Sequence, residues 1–144
     1  METTVECVVV RGGGYEGRQG GTFAAGISAQ SVGARGLCLH RMSLPGHTRG
    51  RPHLHAGHES AILVLSGQVE VWHGAGLADH LVLKAGDYLY IPPDVPHLPV
   101  NTQDEEMVAV VARTDPDEQE GVQLLDLPRH LHAALTAVPV ASPA

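Results

Sequence analysis

The chain has 144 residues and a formal net charge of −7, which suits one domain and disfavours a polyanionic partner such as DNA or RNA. Its hydrophobic fraction is 43% but its aromatic fraction only 3%, so aliphatic side chains must fill the core, and 17 glycines with 10 prolines favour short strands over a helical bundle. No apolar run approaches the roughly 20 residues of a membrane span, and no signal-peptide pattern is present, so we expect a cytoplasmic protein without membrane contact.

The N-terminal part, residues 1–36, is predicted to hold one strand and a glycine-rich loop within a single domain over residues 1–144. Residues 4–10 are β-branched and apolar, as in a strand, and residues 11–21 contain six glycines. The triple glycine lacks the Lys-Ser/Thr pair that a phosphate-binding P-loop requires, so this segment is interpreted as a flexible loop.

Residues 37–44 alternate in polarity and predict a strand. The face that includes His40 also includes Cys38 and Met42, while the opposite face includes Arg41, so a polar group points inward either way. If the inner face carries His40, its imidazole can line a pocket and act as a general base. The alternative is a histidine that is hydrogen bonded at a strand edge.

Residues 52–67 read P-H-L-H-A-G-H-E-S-A-I-L-V-L-S-G and predict a metal site at the mouth of a buried strand. His53 and His55 are two residues apart, so on an extended backbone they project to the same side. Imidazole is a ligand for transition metals, whereas calcium and magnesium prefer oxygen. A polar strand face in contact with water is the alternative, and the adjacent His58 and Glu59 favour the metal site.

The segments that follow predict further strands. Residues 60–65 and 68–72 are separated by a turn at Gly67, and this arrangement predicts a β-hairpin. Residues 81–83 and 106–113 are each predicted to form a strand.

The C-terminal part has apolar residues at 124, 127, 131 and 135, which predicts a helix over residues 124–135. Pro128 must lie in the first turn of this helix or break it. Residues 136–144 are predicted to form a mobile tail.

A second informative stretch, residues 86–101, reads G-D-Y-L-Y-I-P-P-D-V-P-H-L-P-V-N. Three prolines precede His97 and one follows it, which excludes a helix and restricts strand pairing. A rigid corner would present His97 from a fixed backbone. It is therefore the candidate for the remaining metal ligand, although a surface-loop histidine is the alternative.

These two stretches resemble the two sequence motifs of the cupin superfamily. Asp94 stands where the second motif has its inner glycine, and aspartate tolerates the left-handed conformation that glycine supplies there. Gly46, His53, His55 and Gly67 follow the first motif with one extra residue after Gly46, and Gly86, Pro92, His97 and Asn101 follow the second in full. The resemblance implies an all-β fold, a double-stranded β-helix or jelly-roll sandwich, here with a short C-terminal helix.

The family's glutamate ligand is displaced in this sequence. Counting back from Gly67, its position holds Ser60, and the glutamate lies one residue earlier, at Glu59. A one-residue shift on a strand turns a side chain to the other face, and His58 has the same parity as Ser60. The rival ligand set is three histidines plus Glu59, which a bulge at Gly57 would permit. The expected ligands are four histidines: His53, His55, His58 and His97.

Within the superfamily, the chain is similar to the small cupin-type aromatic polyketide cyclases of actinomycetes, of the resistomycin-pathway type. The resemblance implies a metal-dependent, regioselective aldol-type ring closure and dehydration of a poly-β-ketone in antibiotic biosynthesis. One divalent metal is expected, zinc first, with Fe²⁺, Ni²⁺ and Mn²⁺ as alternatives. Glu59, His40 and a water at the metal are the candidate general bases.

The same resemblance implies an apolar cavity for a hydrophobic polyketide, an acyl carrier protein that delivers it, and a homodimer. Two other functions remain open at this point. An Fe(II) dioxygenase would use the same ligands, and a non-catalytic cupin would only bind a small molecule.

Overall fold

A computed structural model of the chain describes residues 6–11, 15–16, 19–117 and 121–141. The described residues form two short α-helices, α1 (Ala29–Val32) and α2 (His132–Leu135), and two 3₁₀ turns, at Ala75–Leu77 and Arg129–Leu131. The strands of the described residues are, in chain order, β1 (Tyr15–Glu16), β2 (Thr22–Ile27), β3 (Cys38–Leu44), β4 (Thr48–Arg49), β5 (His53–His55), β6 (Ser60–Ser66), β7 (Gln68–His73), β8 (Asp79–Lys84), β9 (Tyr88–Ile91), β10 (His97–Asn101), β11 (Met107–Arg113) and β12 (Val122–Leu124).

These strands form two antiparallel sheets that pack face to face. The first sheet has the order β1-β2-β3-β11-β6-β9, and the second has the order β12-β5-β10-β7-β8 with β4 paired beside β10. Alternate residues of β3 and β11 are buried, which is the pattern of strands with one face on a core. The arrangement is the predicted jelly-roll sandwich, with α2 as its short C-terminal helix.

Two apolar clusters hold the sandwich together. The inner cluster lies between the sheets and includes Phe23, Met42, Val64, Val71 and Val111. The outer cluster lies on the other face of the second sheet and consists of Leu77, Leu98, Val100, Leu131 and Leu135.

The predicted hairpin at Gly67 is wrong, because β6 and β7 belong to different sheets. Strand β6 pairs with β9 and β11, whereas β7 pairs with β8 and β10. Gly67 has a φ of +78°, and a Cβ there would lie 2.6 Å from the carbonyl oxygen of Glu106. The glycine therefore lies where the chain passes from one sheet to the other, and Val64 of β6 and Val69 of β7 both belong to the inner cluster.

The N-terminal part differs from the prediction. Residues 7–10 are not a strand, and residues 4 and 5 of that prediction lie outside the described residues, as does the triple glycine. The predicted loop contains β1, which pairs with β2, a strand that was not predicted. Strand β2 also pairs with β3, and the side chain of Phe23 on β2 is buried in the inner cluster.

The C-terminal helix is shorter than predicted because Pro128 precedes it. Leu124 ends β12, Pro128 caps the turn that leads into α2, and both Leu131 and Leu135 reach the outer cluster. Within the described residues, no helix has the length and apolarity needed to cross a membrane.

Within the predicted C-terminal tail, residues 139–141 are hydrogen bonded to β4, and residues 142–144 lie outside the described part. Arg49 donates its backbone N–H to the carbonyl oxygen of Pro139 over 3.0 Å, and Ala141 donates its own to the carbonyl of Arg49 over 2.8 Å. The Arg49 side chain also donates to the carbonyl oxygens of Leu135 and Val138. These hydrogen bonds attach the C-terminal residues to β4.

Candidate metal centre

Strands β5 and β10 bring three histidines together. His53 and His97 are direct partners in the antiparallel register, and His55 projects from the same face of β5. All three are buried, and one ligand nitrogen of each lies within 4.8 Å of the others. The structure thus unites His97 with two residues that lie more than 40 positions earlier in the sequence.

Backbone carbonyls fix the rings of two of these histidines. His53 Nδ1 donates to the carbonyl oxygen of Arg51 over 2.7 Å, and His97 Nδ1 donates to that of Val95 over 2.9 Å. Because a carbonyl can only accept, Nδ1 carries the proton in both neutral rings and Nε2 carries the lone pair. Metal-bound histidines are typically oriented by such a bond from their other nitrogen.

Burial keeps these imidazoles neutral. Desolvation lowers the pKa of His55 to about 2, with Arg113 and His97 as further causes, and lowers the pKa of His97 to about 4. Desolvation also holds the pKa of His53 well below its ordinary value, and the positive charges that His97 and His55 would carry lower it further. Neutral rings are the form that binds a metal.

The three histidines fit a divalent transition metal. They offer three buried nitrogen donors from one small region, and two of them have the oriented lone pairs that ligation needs. His53, His55 and His97 would hold the ion.

Asp94 stabilises the corner before β10. Its φ is +62°, which confirms the expectation that aspartate takes the left-handed conformation here. Its Oδ1 accepts from the backbone N–H of Gly57 over 2.9 Å, and its own N–H donates to the carbonyl of His55 over 3.2 Å. The two histidine-bearing segments are therefore tied together next to the site.

The structure does not bring His58 or Glu59 into the three-histidine group. His58 Nε2 lies 3.7 Å from Asp115 Oδ2, and its Nδ1 lies 3.4 Å from the hydroxyl of Thr114. His58 is still close enough for a charge on it to lower the pKa of His55. Glu59 is exposed and accepts a 2.5 Å hydrogen bond from the hydroxyl of Tyr90.

His40 points into the interior, as one of the two alternatives predicted, but Arg113 stands between it and the cavity. Arg113 Nη2 donates to His40 Nε2 over 2.9 Å, and His40 is not among the described residues that line the cavity. Burial, and secondly the Arg113 charge, lower the pKa of His40 to about 3. Its lone pair is engaged by the guanidinium, so it positions Arg113.

The prediction from sequence missed Arg113 as a site residue. It is buried, and its Nη1 lies 3.4 Å from His55 Nδ1. The signal was present, because Met107, Ala109 and Val111 set the inward parity of β11 and Arg113 shares it. A charged residue on the buried side of an apolar strand indicates a functional or paired group.

A cavity of about 60 Å³ lies between the sheets beside the three histidines. Its walls are mainly apolar and include Met42, Val71 and Leu89. Polar atoms come from the histidines, Arg113, Ser60 and Gln19. Asp and Glu are absent from its lining among the described residues.

A family model for the cupin domain matches residues 40–113, which is 74 of the 144 residues. The chain belongs to the cupin family. The match runs from His40 to Arg113 and contains all three histidines of the site. No curated protein matches this cupin in sequence.

Solved structures share the fold. An uncharacterized protein with a double-stranded β-helix domain from Klebsiella pneumoniae is 18% identical with a TM-score of 0.63, over 74% of this cupin and 85% of that chain. Oxalate decarboxylase from Lactobacillus farciminis, in a formate complex, is 18% identical with a TM-score of 0.68, over 87% of this chain but only 38% of its own. A recombinant oxalate oxidase in complex with glycolate is 19% identical with a TM-score of 0.63, over 83% and 67%. At these identities the likeness shows the fold alone.

Proposed function

We propose that this cupin is a metal-dependent polyketide cyclase, which closes a ring by aldol-type addition and then removes water. The observation that carries the proposal is the convergence of three buried, neutral imidazoles at one end of an apolar cavity. The sequence resemblance to small cupin-type cyclases supports the substrate class, a poly-β-ketone.

The metal is held by His53, His55 and His97 in this proposal, with zinc as the expected ion. A bound divalent metal supplies Lewis acidity toward a carbonyl oxygen of the substrate. His58 remains a proposed fourth ligand, because it is near His55 and only half-buried.

The cavity limits which part of the substrate enters. A volume of about 60 Å³ holds about four water-sized groups. One β-diketone unit, with its two carbonyls and the carbon between them, is close to that size. We therefore propose that the reacting segment enters and that the rest of the polyketide lies at the mouth.

The cavity walls orient the substrate and exclude water. Aliphatic side chains such as Val71 and Leu89 cannot hydrogen bond to a ketone, so the polar end of the segment turns toward the histidines and Arg113. Holding the two reacting carbons close together lowers the entropic cost of bringing them into contact. Because only one pair of carbons is held in this way, one ring pattern is favoured.

The reaction needs no oxidant. A methylene carbon loses one proton and forms a bond to a ketone carbon, whose C=O π bond opens and whose oxygen takes up a proton to become a hydroxyl. That hydroxyl then leaves with a second proton of the former methylene as one water, and a carbon–carbon double bond forms in the ring. Neither Glu59 nor His40 lines the cavity, so water is the remaining candidate for the proton acceptor. A methylene between two carbonyls is acidic enough for so weak a base to take its proton.

Metal content measures the ligand set. Elemental analysis should find about one zinc per wild-type chain and almost none in His53→Ala or His97→Ala, since each removes one of three buried donors. His47→Ala is the control, because His47 is exposed and bonded to Asp104. Zinc retained in both site variants would refute the centre. Partial loss in His58→Ala would support its role as a fourth ligand.

Turnover separates the cyclase from the alternatives. A short linear triketone, incubated with zinc-loaded protein, should give a cyclic product that has lost one water, as seen by mass spectrometry. Oxygen consumption with an Fe²⁺-loaded sample, and no ring product, would instead indicate a dioxygenase. Tight binding of the triketone without turnover would indicate a binding protein.

The homodimer and the carrier protein are also proposals. Strand β9 ends the first sheet, and its Tyr88 and Tyr90 are 79% and 58% exposed. An exposed sheet edge is a surface that a second copy can cover. Sedimentation of wild type and of Tyr88→Lys should show a dimer only in the former.

A further inference from the structure

Two residues of the cavity, Gln19 and Ser60, each bury a polar atom that has no hydrogen-bond partner within the described part of the chain. The atoms are the amide oxygen Oε1 of Gln19 and the hydroxyl oxygen Oγ of Ser60, and each residue is only 4% exposed. A buried polar atom without a partner costs free energy, so native proteins keep one where a ligand or a bound water completes it. The two residues are therefore candidates for ligand binding.

The backbone of Gln19 is fixed against the second sheet. Its carbonyl oxygen accepts the N–H of Arg51, whose own carbonyl oxygen accepts from His53 Nδ1. A Cβ at Gly50 would lie 2.8 Å from the carbonyl oxygen of Gln19, so the two segments are in close contact. The side chain of Gln19 thus lines the cavity from a backbone that is tied to the segment of His53.

Ser60 lines the cavity from the first sheet. It begins β6, and its partners across the strand pairs are Ile91 of β9 and Arg113 of β11. A serine hydroxyl could donate to the amide oxygen of Gln19, but both atoms are unpaired, so they do not meet. A ligand that lies between the two sheets can complete both.

The two atoms differ in the partner that each requires. An amide oxygen only accepts, so the partner of Gln19 Oε1 must carry an O–H or N–H group. A simple ketone or a carboxylate offers acceptors only and leaves this atom unpaired. The hydroxyl of Ser60 can donate to a carbonyl oxygen. The complementary ligand carries a hydroxyl group for Gln19 and a carbonyl oxygen for Ser60.

We propose that Gln19 and Ser60 form a subsite for a hydroxyketone, in which Gln19 Oε1 accepts from the hydroxyl and Ser60 Oγ donates to the ketone oxygen. The inference deepens the proposed function, on which it rests for the substrate class, because aldol addition turns one ketone of the substrate into a hydroxyl. Gln19 gains its hydrogen bond only as that hydroxyl forms. A contact that strengthens along the reaction favours the reaction itself.

Two small probes test the subsite: 4-hydroxybutan-2-one and pentan-2-one, which differ only in a hydroxyl in place of a methyl group. They are titrated into the full-length protein, zinc-loaded and EDTA-treated, and binding is followed by NMR. The hydroxyketone should bind about tenfold or more tighter in both forms, because it alone completes Gln19. Equal affinity for the two probes in both forms would overturn the proposal.

Variants assign the two contacts. Gln19→Leu should reduce the preference for the hydroxyketone by about tenfold and leave the affinity for pentan-2-one little changed. The matched control is Gln123→Leu, because Gln123 is exposed on β12. If Gln19→Leu does not fold, Gln19→Met takes its place. An unchanged preference in the folded Gln19 variant would overturn the assignment.

Ser60→Ala should weaken both probes alike, by about 2- to 10-fold, because both carry the ketone. Ser66→Ala is its control, since Ser66 is exposed at the other end of β6. Removing an unpaired buried hydroxyl should not lower the urea concentration at which the protein unfolds. A lower midpoint in Ser60→Ala would show that this hydroxyl stabilises the fold, and would overturn its role in binding.

The same measurements separate this subsite from the cyclase proposal. A Gln19-dependent preference for the hydroxyketone, with no ring closure of a triketone, supports the subsite and overturns the cyclase. Ring closure at equal rates in wild type and Gln19→Leu, with no preference between the two probes, supports the cyclase and overturns the subsite.

Discussion

Strand β10 has two buried faces that differ in what they contact. His97 and Pro99 face the cavity between the sheets, whereas Leu98 and Val100 face the outer cluster. The cavity side carries buried polar atoms without protein partners, at Ser60 and Gln19 among the described residues. The outer cluster is formed by the side chains of Leu77, Leu98, Val100, Leu131 and Leu135. One strand thus has a face that lines the cavity, here called the cavity face, and a face that packs on the outer cluster, here called the structural face.

The structural face holds the cavity face in place. Leu98 and Val100 are almost completely buried beneath Leu131 and Leu135, so the backbone of β10 has little freedom. The backbone of His97 is therefore held in place as well, because the adjacent residue Leu98 is buried in the outer cluster. Substitutions at adjacent positions of β10 should therefore separate stability from metal binding.

The largest expected effect on stability comes from the structural face. Leu98→Ala should lower the free energy of unfolding by about 3 kcal/mol, because it removes buried contacts and leaves a cavity. Urea denaturation measures this loss. Zinc content per folded chain should stay at the wild-type value, and a parallel loss of zinc would mean that the two faces are not separable.

Metal should affect the stability of the protein through the cavity face. Zinc at about 100 times its dissociation constant should stabilise wild type by about 2.7 kcal/mol, because it binds the folded state only. The same increment is expected in Leu98→Ala and none in His97→Ala. Thermal denaturation with and without zinc gives the comparison. Stabilisation of His97→Ala by zinc would place the metal elsewhere.

Acidic pH should destabilise the metal-free protein through the same face. The folded pKa of His97 is about 4, below the ordinary value of about 6.5 in the unfolded chain. As pH falls from 7 to 5, the unfolded state takes up the proton and the folded state does not, so stability falls and levels off only below pH 4. His97→Asn should remove roughly 1–2 kcal/mol of this loss. Denaturation at several pH values would show an unchanged slope if the prediction is wrong.

The smallest effect is expected on the exposed side of the second sheet. His80 and Glu70 form a 2.7 Å contact there, with both side chains partly exposed. Such pairs contribute at most about 1 kcal/mol. Glu70→Gln should therefore change the free energy of unfolding by less than that and leave zinc content unchanged. A larger loss of unfolding free energy, measured by urea denaturation, would show that the His80–Glu70 contact matters more to stability than an exposed pair.

Local periodicity predicted the parts of the site that depend on one strand. His53 and His55 share a face because of their spacing, and the proline-rich corner does present His97 beside them. Long-range pairing could not be predicted in this way. Whether β6 continues into a hairpin depends on β11, which lies some 40 residues later.

The fourth position of the site shows the same limit. The turn at Gly57, with its φ of +72°, separates His58 from the parity of β5, so spacing alone could not place its ring. Arg113 was missed because residues 106–113 were predicted to form a strand without an assignment of which side chains face the interior. Strands as short as β4 and β12 carry too few residues for an alternating pattern to be visible.

The bonds between Arg49 and the C-terminal residues bear on how the protein is prepared. One arginine holds residues 135–141 through its side chain and its backbone, and the same residue pairs with Val100 of the central strand. A truncation that removes Ala141, for example to aid crystallisation, would remove the hydrogen bond from its N–H to the carbonyl oxygen of Arg49. We expect it to destabilise the second sheet, which includes His97, because Arg49 pairs with Val100 on the same strand. An affinity tag placed after Ala141 should leave the bonds between Arg49 and residues 135–141 unchanged.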